Sequence, residues 1–499
     1  MMKRPLDTSM PFVVAVSLEK FAGDIRVARL KRGLTAERMA ESLGVHRSTY
    51  GRLEAGDAAV SIGLYAKALH VMGLGAPLSD LVDPRNDEEG QLLDLARLPK
   101  RARARRGNPV CFPLPRIGAS PTRSADPVLR IGVLGAMSGP AAIWGLVSKQ
   151  CAEATAEMYN EAGGVEIGGE RYRIEIVSFD DGMQPVRSAE GARFLTETQG
   201  VRYIIGPNVE QTFAAATPVV ERNRAMLFPY SFARSLYRPP HENAVLCQIA
   251  TYQAAPQIYR HLMESEGVET LSIVAPATPE GLRQRAEIKL IARRIGLRIL
   301  SESGVYRSGA DNIESSLGPA LQTMPDLLAL PNLAPSDSVR LVARAREMGF
   351  HGPITTEAAQ DTELLINSIG AQADGLVMLG GASPVGAHNA RMRDFIVRYI
   401  RRAGRWDDEA GTKVHTLELI LATLQMAGAR ALSDVNHFKA AIPNFSIENP
   451  LSNRRSLLTY YGARDLLHKR QIGIPLVVNA IRRGQLQTLF EQEPSEFMH

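Results

Sequence analysis

Apolar runs alternate with amphipathic stretches over most of this chain. The runs at 129–134, 172–179, 203–205, 226–228, 271–274, 297–305, 327–330 and 375–379 have the near-continuous apolar character of strands buried on both faces of a parallel sheet. Between them, 148–160, 185–198, 256–266, 280–295 and 336–348 carry apolar residues at helical spacing. This repetition predicts a doubly wound α/β domain over 128–493. The stretch is too long for one sheet, so two lobes with a cleft between them are expected: lobe I at 128–248 and 384–493, lobe II at 249–383. Residues 18–82 read differently. Helices are predicted at 18–32, 36–43, 46–54 and 61–72, with Thr35 and Ser61 as N-caps and Gly33, Gly44 and Gly56 as stops. Leu30, Met39, Ala40, Leu43, Val45, Tyr50, Leu53, Ile62 and Leu69 form the expected core of this all-α bundle. Residues 83–127 join the two domains as a helical, basic and then Pro-rich linker.

Charge divides the chain at the same place. Residues 1–107 hold 18 Lys and Arg against 13 Asp and Glu, while the rest holds 40 of each. The whole excess of +5 therefore lies on the helical part, where a polyanionic partner would be met. Six of these cations, Arg97, Lys100, Arg101, Arg103, Arg105 and Arg106, crowd into the linker and would attract phosphate without regard to sequence. Three cysteines, Cys111, Cys151 and Cys247, lie far apart with no metal-ligand spacing. The start has Lys3 and Arg4 and a short apolar run from 11 to 18, but no convincing small-residue cleavage site. It is read as no export signal. No stretch approaches the ~20 apolar residues of a membrane span. Serine-nucleophile, metalloprotease, P-loop and dinucleotide fingerprints are all missing, so the chain reads as a non-enzyme that requires no cofactor or metal.

The segment from Leu43 to Gly56, LGVHRSTYGRLEAG, with the capped helix before it, resembles the phage-repressor (Xre/Cro-like) helix-turn-helix family. The resemblance implies that the start of the third helix enters the DNA major groove, with Arg47, Ser48 and Arg52 reading bases. It puts Thr35, His46 and Thr49 on phosphates. Many members carry Gln after the capping Thr; this chain has Ala36 there, which weakens the clamp of the second helix on the backbone.

Four further segments, in order, resemble the periplasmic binding protein-like type I fold, and more narrowly the Leu/Ile/Val and amide/urea receptors. They are LRIGVLGAMSGP (129–140), MYNEAGGVEIGGERYRIEIVSFDDG (158–182), YIIGP with PVVERNRAMLFPYS (203–231), and the closing YYGARDLLHKRQIGIPLVVNAIRRGQL. The resemblance implies a ligand held between the lobes by loops at the C-terminal ends of strands. Carried over, the site holds Met137 and Ser138, then Asn208, Gln211 and Thr212 around a helix start suited to an anion, then Tyr230, Ser231 and Phe232. In the second lobe residues 277–280, Asn332, Leu333 and Glu357 face the cleft, with Glu357 placed to hold a ligand ammonium. Two departures count against an ordinary branched-chain amino acid. The first-lobe loop has Glu210 where relatives have a Ser/Thr run, and the second-lobe loop lacks the Tyr placed over the ligand.

Together these readings lead to a cytoplasmic, ligand-responsive DNA-binding transcription regulator that binds double-stranded DNA as a homodimer and senses an amino acid, amide or urea-like metabolite. Two rival readings stand beside it. One is an ABC-transport-type solute receptor with a vestigial N-terminal fusion. The other is an antitoxin-like repressor, whose acidic stretch, single helix and LPKR run would match 83–106.

Overall fold

The computed structural model describes residues 12–72 and, apart from 140, 311, 382, 385–388 and 453–455, residues 126–498. The chain divides into two compact units, 1–108 and 109–499. The linker expected at 83–127 lies outside the described residues, except for its last two.

The first unit contains four helices, α1 (Phe12–Lys31), α2 (Ala36–Leu43), α3 (Arg47–Glu54) and α4 (Ile62–Val71). α1 starts six residues earlier than expected, because the apolar run weighed as a leader continues it without a breaker. Thr35 caps α2 by accepting from the Arg38 N–H, and Gly44 ends it in the left-handed region at φ +67°. Ala22, Ile25, Met39, Ala40, Leu43, Tyr50, Leu53, Tyr65, Ala68, Leu69 and Met72 are buried. Leu30 and Ile62, both expected in this core, are instead 57% and 65% exposed. In α1 the inward row is Ala22, Ile25 and Arg29, so Arg29 occupies the place given to Leu30.

Arg29 is tolerated there because it is fully paired. Its Nε and Nη2 donate to the two oxygens of Glu54 at 2.6 and 3.1 Å, and its Nη1 donates to the Leu34 carbonyl at 2.7 Å. Tyr50 donates its hydroxyl to the same carboxylate at 3.0 Å. This bidentate pair ties α1 to the end of α3 and fixes the angle of the third helix. Glu54→Ala leaves the buried Arg29 without its carboxylate and is expected to cost about 2 kcal/mol. Hydrogen exchange of the full chain should show faster exchange through α1–α4 and none in 128–498; unchanged protection in α1 and α3 would contradict the role.

In the second unit, a five-stranded sheet has the order β2-β3-β1-β4-β5, built from β1 (Val128–Gly135), β2 (Val165–Ile167), β3 (Glu170–Asp180), β4 (Tyr203–Ile205) and β5 (Met226–Phe228). β1, β3, β4 and β5 run parallel, and only β2 is antiparallel. Helices α5 (Ala142–Glu161), α6 (Pro185–Arg193) and α7 (Glu210–Arg222) connect these strands. α8 (Thr251–Glu266) then leads to a seven-stranded sheet. Its strands are β6 (Thr270–Pro276), β7 (Arg298–Tyr306), β8 (Leu327–Ala329), β9 (Ile354–Thr355), β10 (Leu376–Gly380), β14 (Leu476–Arg482) and β15 (Gln485–Gln492), in the order β15-β14-β10-β9-β8-β6-β7. α9 (Pro279–Ile295) and α10 (Pro335–Glu347) belong with it. α11 (Ala390–Ala403), α12 (Asp408–Lys413) and α13 (His415–Ala427) return the chain to pack on α5. A small antiparallel sheet of β11 (Ser446–Glu448), β12 (Leu457–Tyr461) and β13 (Gln471–Gly473) follows.

The chain thus passes between the two main sheets three times. One lobe boundary needs correction. The hairpin β14–β15 was expected in lobe I with the rest of 384–493, but β14 pairs antiparallel with β10 and extends the second sheet. α8 starts at Thr251 rather than at Pro256, because Gln253 folds its Oε1 back to accept the Ala250 N–H at 3.0 Å and opens the helix earlier. Gly206, after β4, has φ +90°, and a Cβ there would collide with the Leu134 carbonyl oxygen. Only glycine lets the loop 207–209 lie against β1.

Candidate functional site

In the helical unit, α2, the Gly44 turn and α3 leave one face to solvent. Arg47 and Arg52 stand on it, 66% and 54% exposed. Each is held by an acid beside it, Arg47 by Glu37 of α2 and Arg52 by Asp57 at 2.5 Å. These pairs are exposed and weak, so they orient the guanidinium groups without withholding them from a polyanion. Ser48 and Thr35 are exposed and Thr49 is half-buried. His46 is the N-cap of α3: its Nδ1 accepts from the Ser48 N–H at 3.4 Å and lies 2.9 Å from Ser48 Oγ. His46, Arg47, Ser48 and Thr49 thus stand at the start of α3, with one ring nitrogen of His46 committed to capping, while Thr35 stands at the start of α2 and Arg52 in the last turn of α3.

In the second unit, a cavity of about 80 Å³ opens between the two sheets. The first lobe supplies Trp144, Asn208, Val209, Tyr230, Phe232 and Gln248, and the returning α12 supplies Glu409 and Thr412. The second lobe supplies Glu280, Gln284, Asn332, Leu333, Ala358, Ala359 and Leu379. Of the residues carried over from the resemblance, Asn208, Tyr230, Phe232, Glu280, Asn332 and Leu333 line it, and 277–279 do not.

Six others do not, each for a visible reason. Met137 donates its N–H to Asp180 Oδ1 at 2.8 Å and packs toward the core, and Ser138 lies exposed in the same turn. Thr212 is buried with its hydroxyl donated to the Val209 carbonyl at 3.0 Å, and Gln211 lies beside it on α7 outside the lining. Ser231 is buried and donates to Glu280 Oε1 at 3.3 Å. Glu357 is fully buried behind the wall formed by Ala358 and Ala359, where Tyr259 of α8 donates to its Oε1 at 2.7 Å. Its backbone sits at φ +51°, which turns the side chain away from the cleft.

α9 closes the two lobes from one face. Glu280 Oε1 accepts from the Phe232 N–H at 3.2 Å as well as from Ser231. One turn on, Arg283 pairs with Glu210 at the start of α7, so Glu210 points at a cation rather than into the cavity. A further turn on, Glu287 meets Arg234 at 3.2 Å. Under the first-lobe wall, the buried Lys413 donates to the Trp144 carbonyl at 2.9 Å, pairs with Glu409 at 2.9 Å and lies 4.8 Å from the Tyr230 ring.

Residues 128–459 match the periplasmic binding protein family. The chain belongs to the periplasmic binding protein family. Residues 25–77 match the helix-turn-helix family. Among solved structures, a leucine-binding protein from Thermotoga maritima is similar over 74% of this chain and 100% of its own, at 16% identity and a TM-score of 0.62. A branched-chain amino acid transporter substrate-binding protein from Streptococcus pneumoniae, in complex with isoleucine, is similar over 73% of this chain and 99% of its own, at 15% identity and 0.59. A solute-binding protein of an ABC transporter from Rhodopseudomonas palustris, in complex with 3,4-dihydroxybenzoic acid, covers 74% and 98% at 17% identity and 0.59. At these identities the likeness is one of fold. Among curated proteins nothing matches the chain. Among the described residues of this binding protein no helix is long and apolar enough to cross a membrane, and no cluster of three metal-ligating side chains occurs.

Several lining residues carried no strong signal in the sequence. Trp144 stands just after the first loop, in the first turn of a helix expected to start only at 148. Gln284, Glu409 and Thr412 come from helices whose inward face depends on how the lobes meet.

Burial pushes the carboxyls of both Glu280 and Glu357 up from 4.5 to about 7. A carboxyl that holds its proton more tightly when folded stabilises the fold fully below about 4.5. That contribution is lost as pH rises to about 7. The thermal midpoint of the second unit is expected to carry a falling component between pH 4.5 and 7, and Glu357→Gln to flatten it. An unchanged slope in that variant would contradict the burial argument.

Proposed function

We propose that this chain is a cytoplasmic, ligand-responsive DNA-binding regulator. The observation that carries the reading is a helix-turn-helix with two exposed arginines at its third helix in the same chain as a two-lobed receptor with an interlobe cavity. The third helix enters the major groove, with Arg47 and Arg52 making bidentate contacts to guanine, Ser48 reading beside them, and Thr35, His46 and Thr49 on the backbone. Such modules act in pairs on half-sites, so the regulator works as a homodimer. Binding a small polar metabolite in the cavity changes the lobe arrangement and, through it, the affinity for the operator. The ligand must bind the two arrangements with different strength for this to happen. The structural relatives include receptors solved with isoleucine and with 3,4-dihydroxybenzoic acid, which supports a small polar metabolite as the class sensed here.

The transport reading gains no specific support from the helical unit.

Operator selection from a random duplex pool, followed by titration of the double variant Arg47→Ala and Arg52→Ala, tests the assignment. Each lost bidentate contact is expected to cost roughly 1–3 kcal/mol on the selected site, with little change on random DNA. Undiminished specific affinity in the double variant would contradict the assigned recognition helix.

A further inference from the structure

The place suited to an anion in this cleft is already occupied by the protein itself. The start of α7 was expected to offer donors to a ligand anion, with the loop after β5 beside it. In the structure Glu280 reaches across from the second lobe into those donors. Its Oε1 takes the Phe232 N–H and the Ser231 hydroxyl. Glu280 is 6% exposed and lines the cavity.

The other donors around the cavity are largely spent. Thr412 donates to the Glu409 carbonyl at 2.8 Å, and Gln248 donates to the Tyr230 carbonyl. Tyr230 and Thr416 share a hydrogen bond at 3.1 Å. Among the described residues no Lys, Arg or His lines the cavity, and Lys413 lies behind the wall on the Trp144 carbonyl. Acceptors remain. Both hydrogen bonds given to Glu280 fall on one oxygen. Gln284, one turn further along the same face of α9, is 3% exposed, lines the cavity and has no hydrogen-bond partner among the described residues. Asn208 Oδ1, also in the lining, is buried without a partner among the described residues, which costs free energy until something pairs with it.

We infer that the cavity takes a small ligand with a protonated nitrogen head, an amine or a guanidine, held by Glu280 and Gln284, and rejects ligands whose polar group is a free carboxylate. A cation with several N–H donors satisfies both side chains at once and neutralises a buried charge. A carboxylate would have to displace Glu280 from its two donors or lie beside it. The inference rests on the receptor reading above and narrows its ligand class.

The test uses the full chain and five probes of similar size: butylamine, propylguanidine, butyramide, butyrate and leucine. Thermal shift and titration calorimetry are expected to show binding of the two cations and no shift with butyrate or leucine. Glu280→Gln should weaken the cations roughly ten- to hundredfold, the effect of losing one charge-assisted hydrogen bond. Gln284→Leu should weaken propylguanidine more than butylamine. A measurement on the unaltered chain guards against a variant that fails to fold. The charged groups facing Glu280 are Arg283 on its own helix and Glu210 on α7, already paired with each other, and the buried Tyr237 lies nearby. Cation affinity should therefore rise between pH 6 and 8 as Glu280 ionises, and carboxylate affinity, if present, would fall. Binding of butyrate or leucine without the cations overturns the ligand class and leaves the receptor reading standing, as does cation binding that Glu280→Gln does not weaken. If none of the five probes shifts the midpoint, the receptor reading falls and the inference with it.

Discussion

The receptor unit depends on one junction, the face of α9 that carries Glu280, Arg283 and Glu287. These three residues sit at successive turns and each meets a partner on the first lobe: Ser231 with Phe232, Glu210, and Arg234. The cavity exists because this face bridges the sheets at their C-terminal edges. Two of the three contacts are ion pairs, Arg283 with Glu210 and Glu287 with Arg234, while Glu280 accepts from a neutral hydroxyl and a backbone N–H. Such pairs add little net stability but penalise wrong arrangements strongly, because separating them leaves half-buried charges unpaired. That gives the two lobes a preferred closed register, which a metabolite can reinforce or disturb.

The helical unit is organised by the same logic on a smaller scale. A chain of about 60 residues has little core to spend, and here one inward position of α1 is a guanidinium rather than a leucine. Its bidentate hold on Glu54 fixes α3, the helix proposed to present Arg47 and Arg52 to DNA. The acid of the RLE run is therefore a structural residue, while the arginine of the same run faces out.

Much of this was legible in the sequence wherever the determining chemistry is local. The bounds of α2 follow from Thr35 and Gly44, and those of β4 and β5 from short apolar runs with no competing period. What escaped was set by distant partners. The hairpin β14–β15 reads the same whichever sheet accepts it, and only its pairing with β10 decides. Leu30 looks like core until Arg29 is seen to have Glu54 opposite. In the site, Asn208, Tyr230, Phe232 and Asn332 could be placed from their loops. Glu357 could not, because a positive φ and the hydroxyl of Tyr259 turn it behind the wall. Glu280 fell within a loop expected at the cleft, but its role as a resident anion depends on α7 and the loop after β5, more than 45 residues away.

The central claim is that a metabolite in the interlobe cavity and an operator on the third helix are thermodynamically linked in one chain. Linkage is reciprocal: whatever factor the metabolite imposes on DNA affinity, the DNA must impose on metabolite affinity. The most direct measurement is therefore a closed cycle at fixed salt, titrating operator duplex with and without saturating metabolite, and metabolite with and without saturating duplex. The account predicts the same factor on both sides, on the order of 5 to 150. Two sites that each bind well and leave the other's affinity unchanged would contradict it.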